Sequence, residues 1–291
     1  MSADSRGFLD AIALRRVEPV AGGDDAFVAV TGPVPWPKSY GGDLVAQSLA
    51  AATETIEDDR ALHSTHTYFL RPADIGGEVT YEVERTRDGR GFSSRLVKGY
   101  QHGKVVVEAM ASYQVAVAGS REYSVGAPGG IPDPESLPSS AEAVAGHEGA
   151  FAEFWAGGRS FDMRHVGPPL YFSGDPGSAP AARQSIWIRA FSPIPADQAT
   201  QRIALAWVCD APILEPLLRT WGSYWTQPGI ATASLDHSMW FHRDVDLNDW
   251  VLYSMEAESG QSDRGLVLGR FTDRAGRLIA TVAQEGLIRL P

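Results

Sequence analysis

Three polar residues in the C-terminal half have types suited to chemistry: Asp210, Ser234 and Gln284. A carboxylate can take a proton as a general base, and a hydroxyl and an amide can each hold a polar partner. Gln284 lies in an apolar run ending at Gly286, and Ser234 opens the segment SLDHSMWFHR. Burying such groups unpaired costs about 1–3 kcal/mol each, so they call for partners. Taken singly, each also has a simple structural reading: Asp210 as the N-cap of a helix, Ser234 as a strand hydroxyl, Gln284 as an edge amide.

Other constellations carry less. His63 and His66 are three apart in a run that reads as strand, and His237 and His242 are five apart, so each pair is expected on opposite faces. Partly buried histidines with hydrogen-bond partners, rather than a shared metal, are expected at both. His-Glu-x-x-His, Gly-x-Ser-x-Gly, the P-loop and Gly-x-Gly-x-x-Gly are all absent, which removes support for zinc peptidase, serine hydrolase, NTPase and Rossmann readings.

The elements that must position these residues read as two copies of one unit. Residues 62–84 can be laid on 234–256 at a constant offset of 172, and six of those 23 positions are identical: Phe69/Phe241, Arg71/Arg243, Asp74/Asp246, Val79/Val251, Tyr81/Tyr253 and Glu84/Glu256. Random pairing gives roughly one or two at average residue usage. After a one-residue slip, VVVEAMASYQV (105–115) falls on LIATVAQEGLI (278–288). In this alignment Leu62 faces Ser234 and Ala111 faces Gln284, so the polar set belongs to one copy only. A lopsided pair follows, with the chemistry in the second half.

Each copy starts with a strand (Phe27–Thr31; Ile186–Phe191), continues through a helical run (41–56; 210–221, beginning at Asp210), and ends in long strands rich in Val, Thr, Tyr and Phe. One helix followed by antiparallel strands is an α+β unit, whose curved sheet would wrap the helix. Between the copies, residues 118–182 hold 8 of the 19 prolines and 11 of the 30 glycines, which is linker chemistry. Three regions are expected: 1–117, a surface connector 118–182 that is partly mobile with a short helix within 141–158, and 183–291.

The 291 residues carry 25 Lys+Arg against 36 Asp+Glu, a net charge of −11. That balance argues against nucleic acid and anionic membranes as partners. Cys209 is the one cysteine, so no disulfide framework and no Cys-rich zinc site is possible within the chain. The opening MSADSRGFLDAIALRRVEPV has no basic segment followed by a long apolar one, the chain ends Ile-Arg-Leu-Pro, and no run of about 18 apolar residues occurs. A cytoplasmic protein is expected.

GGDLVAQSLAAA, LHSTHTYFLRPAD, DGRGFSSRLV, LDHSMWFHR and TVAQEGLIR together resemble the acyl-CoA thioesterase II family, over about 8–117 and 183–290. The resemblance implies a double hot-dog fold and hydrolysis of fatty acyl-CoA to free acid and CoA, with no cofactor or metal. It implies that Asp210, Ser234 and Gln284 hold and activate the attacking water; Ser234 stands where relatives often carry Thr. A thioester with a thiolate leaving group suits that chemistry, because an oriented water beside a carboxylate base can suffice. Helix N-terminal N–H groups, from the second helix or at Gly41-Gly42, could stabilise the oxyanion.

Further expectations concern substrate and partners. An acyl tunnel lined around Tyr68, Phe69, Trp240 and Phe241 competes with plain core packing of those rings. A basic patch for the CoA phosphates is expected among Arg71, Arg87, Arg90 and Arg95, or Arg243 and Arg264. Assembly into a homo-oligomer, dimer or tetramer, is expected. Two other functions fit the scaffold: a non-catalytic acyl-CoA binder or sensor, and a hot-dog dehydratase, which usually needs a His on the helix that DAPILEPLLRTW lacks.

Overall fold

The computed structural model describes residues 3–57, 59–174 and 182–291. The first half runs α1 (Arg6–Ala11), β1 (Arg15–Val17), β2 (Asp25–Val30), α2 (Gly41–Thr53), then β3 (Arg60–Phe69), β4 (Glu78–Asp88), β5 (Phe92–Gln101) and β6 (Lys104–Val115). The second half has β7 (Phe161–His165), β8 (Arg183–Ala190), α5 (Gln198–Cys209) and α6 (Glu215–Thr220). It closes with β9 (Ala231–Ser234), β10 (Asp236–Phe241), β11 (Val251–Gln261), β12 (Arg264–Asp273) and β13 (Leu278–Arg289). Between the halves lie the short helices α3 (Ser140–Ala143) and α4 (Ala150–Glu153).

One antiparallel sheet joins both halves in the order β1-β2-β4-β5-β6-β3-β10-β13-β12-β11-β8-β7, and the order reads the same from either end once the copies are matched. β3 pairs with β10 at the centre, His66 opposite Ser238, and those two residues are 172 apart, the offset of the repeat. A local two-fold axis therefore passes through that pair, and the α+β double hot-dog expectation holds.

α2 and α5 lie antiparallel in the concavity. Every α2 residue from Gly42 to Ala52 is buried, so the helix is sheathed on all sides rather than along one stripe. Its polar members find partners: Gln47 donates to the Ala11 and Val30 carbonyls at 2.9 Å and accepts from the Tyr81 hydroxyl at 2.6 Å.

Two sequence readings need correction. The second central helix is α5, not 210–221; its N-cap is Asp197, whose carboxylate accepts from the Thr200 N–H at 2.8 Å, and Asp210 closes it. Pro216 would clash in the interior of a helix begun at Asp210, so the chain turns and α6 starts afresh with Pro216 in its first turn. His63 and His66 also share the outer face, because a register shift between Leu62 and Ser64 inserts a bulge. His63 meets the Ser112 hydroxyl at 2.8 Å and His66 that of Ser238 at 3.0 Å.

The stretch 118–182 is more than a linker. β7 pairs with β8 inside the sheet, and Val144, Ala152, Trp155 and Tyr171 form a small core of their own. Buried Glu215 ties this region to α6, meeting His165 at 3.2 Å and the Gln184 amide at 3.1 Å. Burial alone pushes the Glu215 carboxyl up, but His165 and the hydrogen bonds around it hold it below its ordinary range. All of the GDPGSAP segment (174–180) after Gly174, together with Ala181, lies outside the described residues. Among the described residues no helix is long and apolar enough to cross a membrane.

Candidate active site

Asp210, Ser234 and Gln284 come together although 24 and 74 residues separate Asp210 from the other two. Ser234 Oγ donates to Asp210 Oδ1 at 2.7 Å, Gln284 Nε2 donates to the same oxygen at 2.7 Å, and Gln284 Nε2 lies 2.9 Å from Ser234 Oγ. β13 supplies Gln284 and pairs with β9, which supplies Ser234; α5 ends directly above them at Asp210. Gln284 is wholly buried and Asp210 is 8% exposed. A buried carboxylate with three donors converging on it is a stable arrangement, since each oxygen finds a partner.

The second oxygen reaches into the other half. Asp210 Oδ2 accepts the Gly42 N–H at 3.0 Å, at the N-terminus of α2. Tyr40, the N-cap residue of α2, makes no side-chain cap, so the carboxylate caps this helix from across the domain interface. Two glycines permit the approach. A Cβ at Gly41 would stand 2.8 Å from Asp210 Oδ2, and one at Gly42 would collide with the Tyr40 ring and the Trp207 carbonyl. The contact is braced by Tyr40, whose hydroxyl donates to the Trp207 carbonyl at 2.5 Å, and by Trp207 Nε1, which donates to buried Asp43 at 2.7 Å. Burial raises the Asp43 carboxyl above its usual range against the pull of the Gly32 N–H and Trp207 Nε1–H donors, and the nearby Asp210 charge adds to the rise.

Gly42, expected as an oxyanion donor, gives its N–H to Asp210. Three neighbours were not singled out as site residues. Tyr40 and Asp43 escaped because their roles need the two halves docked. His237 is the third: its Nδ1 lies 2.9 Å from Gln284 Oε1 and its Nε2 3.9 Å from Cys209 Sγ. A signal existed for it, since the offset of 172 sets it against Thr65. His242 lies on the opposite face, as expected, against the Thr281 hydroxyl at 2.9 Å.

The tunnel and CoA candidates divide. Tyr68 and Trp240 are 62% and 37% exposed, on the outer face with His66, and so cannot line a tunnel beneath the sheet. Phe241 is buried and Phe69 packs against the core. Arg95 is buried, held by Thr55 and Asp88, and is unavailable to phosphates. Arg243 bonds to the Leu278 carbonyl and Glu122, and Arg264 to Glu285.

The comparisons with known proteins identify the family. The family model described as acyl-CoA thioesterase matches residues 162–287, and that of the acyl-CoA thioesterase N-terminal domain matches 32–114. Acyl-CoA thioesterase 2 of Haemophilus influenzae is 35% identical over 256 residues, covering 86% of this chain and 87% of the relative. The chain belongs to the acyl-CoA thioesterase family. Human acyl-coenzyme A thioesterase 8 is 33% identical to this family member, covering 88% of this chain and 82% of the relative. Among solved structures, the tesB protein of Mycobacterium avium subs paratuberculosis superposes with a TM-score of 0.78 at 31% identity, over 99% of this chain and all of that one. A dehydratase domain of curacin polyketide synthase shares the fold alone, with a TM-score of 0.55 at 13% identity over 96% of this chain and 97% of that one. The match to the first family model begins one residue into β7, which pairs with β8 in the second half of the sheet.

Proposed function

We propose that this protein hydrolyses fatty acyl-CoA to free fatty acid and CoA, by direct attack of a water that Asp210 activates and Ser234 and Gln284 hold. The observation that carries the reading is the triangle of Asp210 Oδ1, Ser234 Oγ and Gln284 Nε2, with edges of 2.7–2.9 Å. A water on this triangle gives one hydrogen to Asp210 and accepts from Ser234 or Gln284, whose hydrogens otherwise go to the carboxylate. As its oxygen bonds to the thioester carbon, its proton passes to Asp210 and the carbonyl becomes an oxyanion. The oxyanion then collapses, the C–S bond breaks, and the proton goes on to the CoA thiolate. A thiol pKa of about 8.5 makes that leaving group a good one. Positioning of the water supplies several kcal/mol. The helix end placed to stabilise the oxyanion is the N-terminus of α2, because the N-terminus of α5 lies at the far end of the helix pair.

α2 and α5 carry no histidine, which argues against the dehydratase reading. We further propose a cytoplasmic homo-oligomer, dimer or tetramer; exposed Tyr68, Trp240 and Met110 on the outer sheet face support association. The deciding experiment is CoA release, followed with a thiol reagent across C2–C18 acyl-CoAs, beside Asp210→Asn. The variant should turn over at least about 10³-fold more slowly while remaining folded. Full turnover in the variant would sink the assignment, and saturable binding without turnover in the wild type would make the protein an acyl-CoA binder.

A further inference from the structure

We propose that His237 is a positioning residue of the hydrolytic site, its Nδ1–H fixing the Gln284 amide and thereby the two donors aimed at Asp210 and Ser234. This rests on the reading of Asp210, Ser234 and Gln284 as the hydrolytic set.

The donor logic runs outward from the carboxylate. An ionised carboxylate only accepts, so the edge of the Gln284 amide that faces Asp210 is its NH2 group. Its two hydrogens go to Asp210 Oδ1 at 2.7 Å and Ser234 Oγ at 2.9 Å. Oε1 must then face away, and there it meets His237 Nδ1 at 2.9 Å. A carbonyl oxygen cannot donate, so Nδ1 carries the hydrogen. Without that bond a buried Oε1 has no donor, and nothing prevents the amide from turning an oxygen toward the carboxylate. His237 is completely buried and reaches Gln284 from the neighbouring strand, in the register that sets Ser238 opposite Ala283. It therefore acts through Gln284 and not on substrate. Burial holds the imidazole pKa below its ordinary value and keeps the ring neutral, with one N–H.

The repeat supplies an independent argument. Thr65 is the counterpart of His237, and it pairs with Ala111, the counterpart of Gln284. The buried Thr65 hydroxyl has no hydrogen-bond partner among the described residues. Histidine thus occurs where the glutamine occurs, and both are missing from the half that carries Leu62 in place of Ser234.

Leucine and asparagine at 237 separate positioning from packing. Asparagine sets an amide N–H near the place of Nδ1, while leucine fills space without a donor. His237→Leu should lower kcat by about 10–100-fold with KM within about 2-fold, and His237→Asn should recover to within about 5-fold of wild type. In a Gln284→Ala background, His237→Leu should add less than about 2-fold, because its effect runs through the missing amide. A folded His237→Leu with full kcat would overturn the proposal, as would Asn as poor as Leu, or additive losses in the double variant. If leucine does not fold, His237→Ala, which also removes the donor, makes the same cycle alone and combined with Gln284→Ala. Asp210→Asn, run in parallel, tests the underlying reading: if it stays active, the whole site fails, whereas an inactive Asp210→Asn beside a normal His237→Leu condemns only the histidine.

Discussion

The two ends of the α2/α5 helix pair are related by the local two-fold axis, yet they do opposite electrostatic jobs. At one end the N-terminus of α2 lacks a cap of its own and is met by Asp210 from the end of α5. At the other end α5 is capped locally by Asp197, and the C-terminus of α2 meets a buried cation. Arg95 donates to Thr55 Oγ1 at 2.7 Å and to the Thr55 carbonyl at 3.0 Å, and pairs with Asp88 at 2.9 Å. The strand register makes the exchange explicit: Arg95 lies opposite Ala111, where the second half has Val267 opposite Gln284. The polar residue has moved from one strand of the pair to the other. A cavity of about 350 Å³ opens beside this end, lined by Ile12, Leu14, Phe27, Thr53, Glu54 and Asp197 among others; Glu54 closes α2 as Asp210 closes α5, but no glutamine lines the cavity. In the proposed reaction the carboxylate is the base, whereas a guanidinium on helix carbonyls adds stability and does not titrate near neutrality.

Making the ends alike should erase the difference. Gln284→Ala installs the first-half residue, and kcat should fall by roughly 10²–10³-fold with the fold retained, as read by CoA release and circular dichroism. Arg95→Met should do the reverse: turnover within about 2-fold of wild type but stability lower by about 2–4 kcal/mol, read from denaturant unfolding. A loss of activity in folded Arg95→Met would show the two ends to be coupled. Gly41→Ala puts a methyl against Asp210 Oδ2, and a displaced carboxylate should reduce kcat/KM by about 10–100-fold.

The smallest effect concerns pH. Burial keeps the His237 pKa below the ordinary 6.5, so below that value the unfolded chain binds a proton that the native state refuses. Stability should therefore decline as the pH drops from about 7.5 to 5.5. His237→Asn should flatten that decline, measured as the shift of the unfolding midpoint between the two pH values. An equal decline in both proteins would assign the acid sensitivity elsewhere.

Much of this was legible in the chain, for physical reasons. Six identities at one offset reflect two halves of the sheet with the same inward and outward alternation, so the repeat, its long strands and the one-sided placement of Ser234 and Gln284 could be read from residue types alone. Family motifs pointed to Asp210 without showing its setting. α5 was misread because its apolar run IALAWVC is buried all round, and a short buried run does not reveal whether it is helix or strand. The His63 bulge hid for a similar reason, since one inserted residue reverses facing without changing composition.

Local periodicity and composition thus determined the long strands and the first central helix, while the family resemblance named the proposed reactive groups. Only the tertiary structure decided that Asp210 meets Gly42 across 168 positions of sequence, that His237 stands behind Gln284, and that Arg95 closes the opposite end. The first contact depends on the two halves docking in one register, and the other two on strand pairing and helix packing within a half. The link from Asp210 to α2 comes into being only when both halves have folded and met.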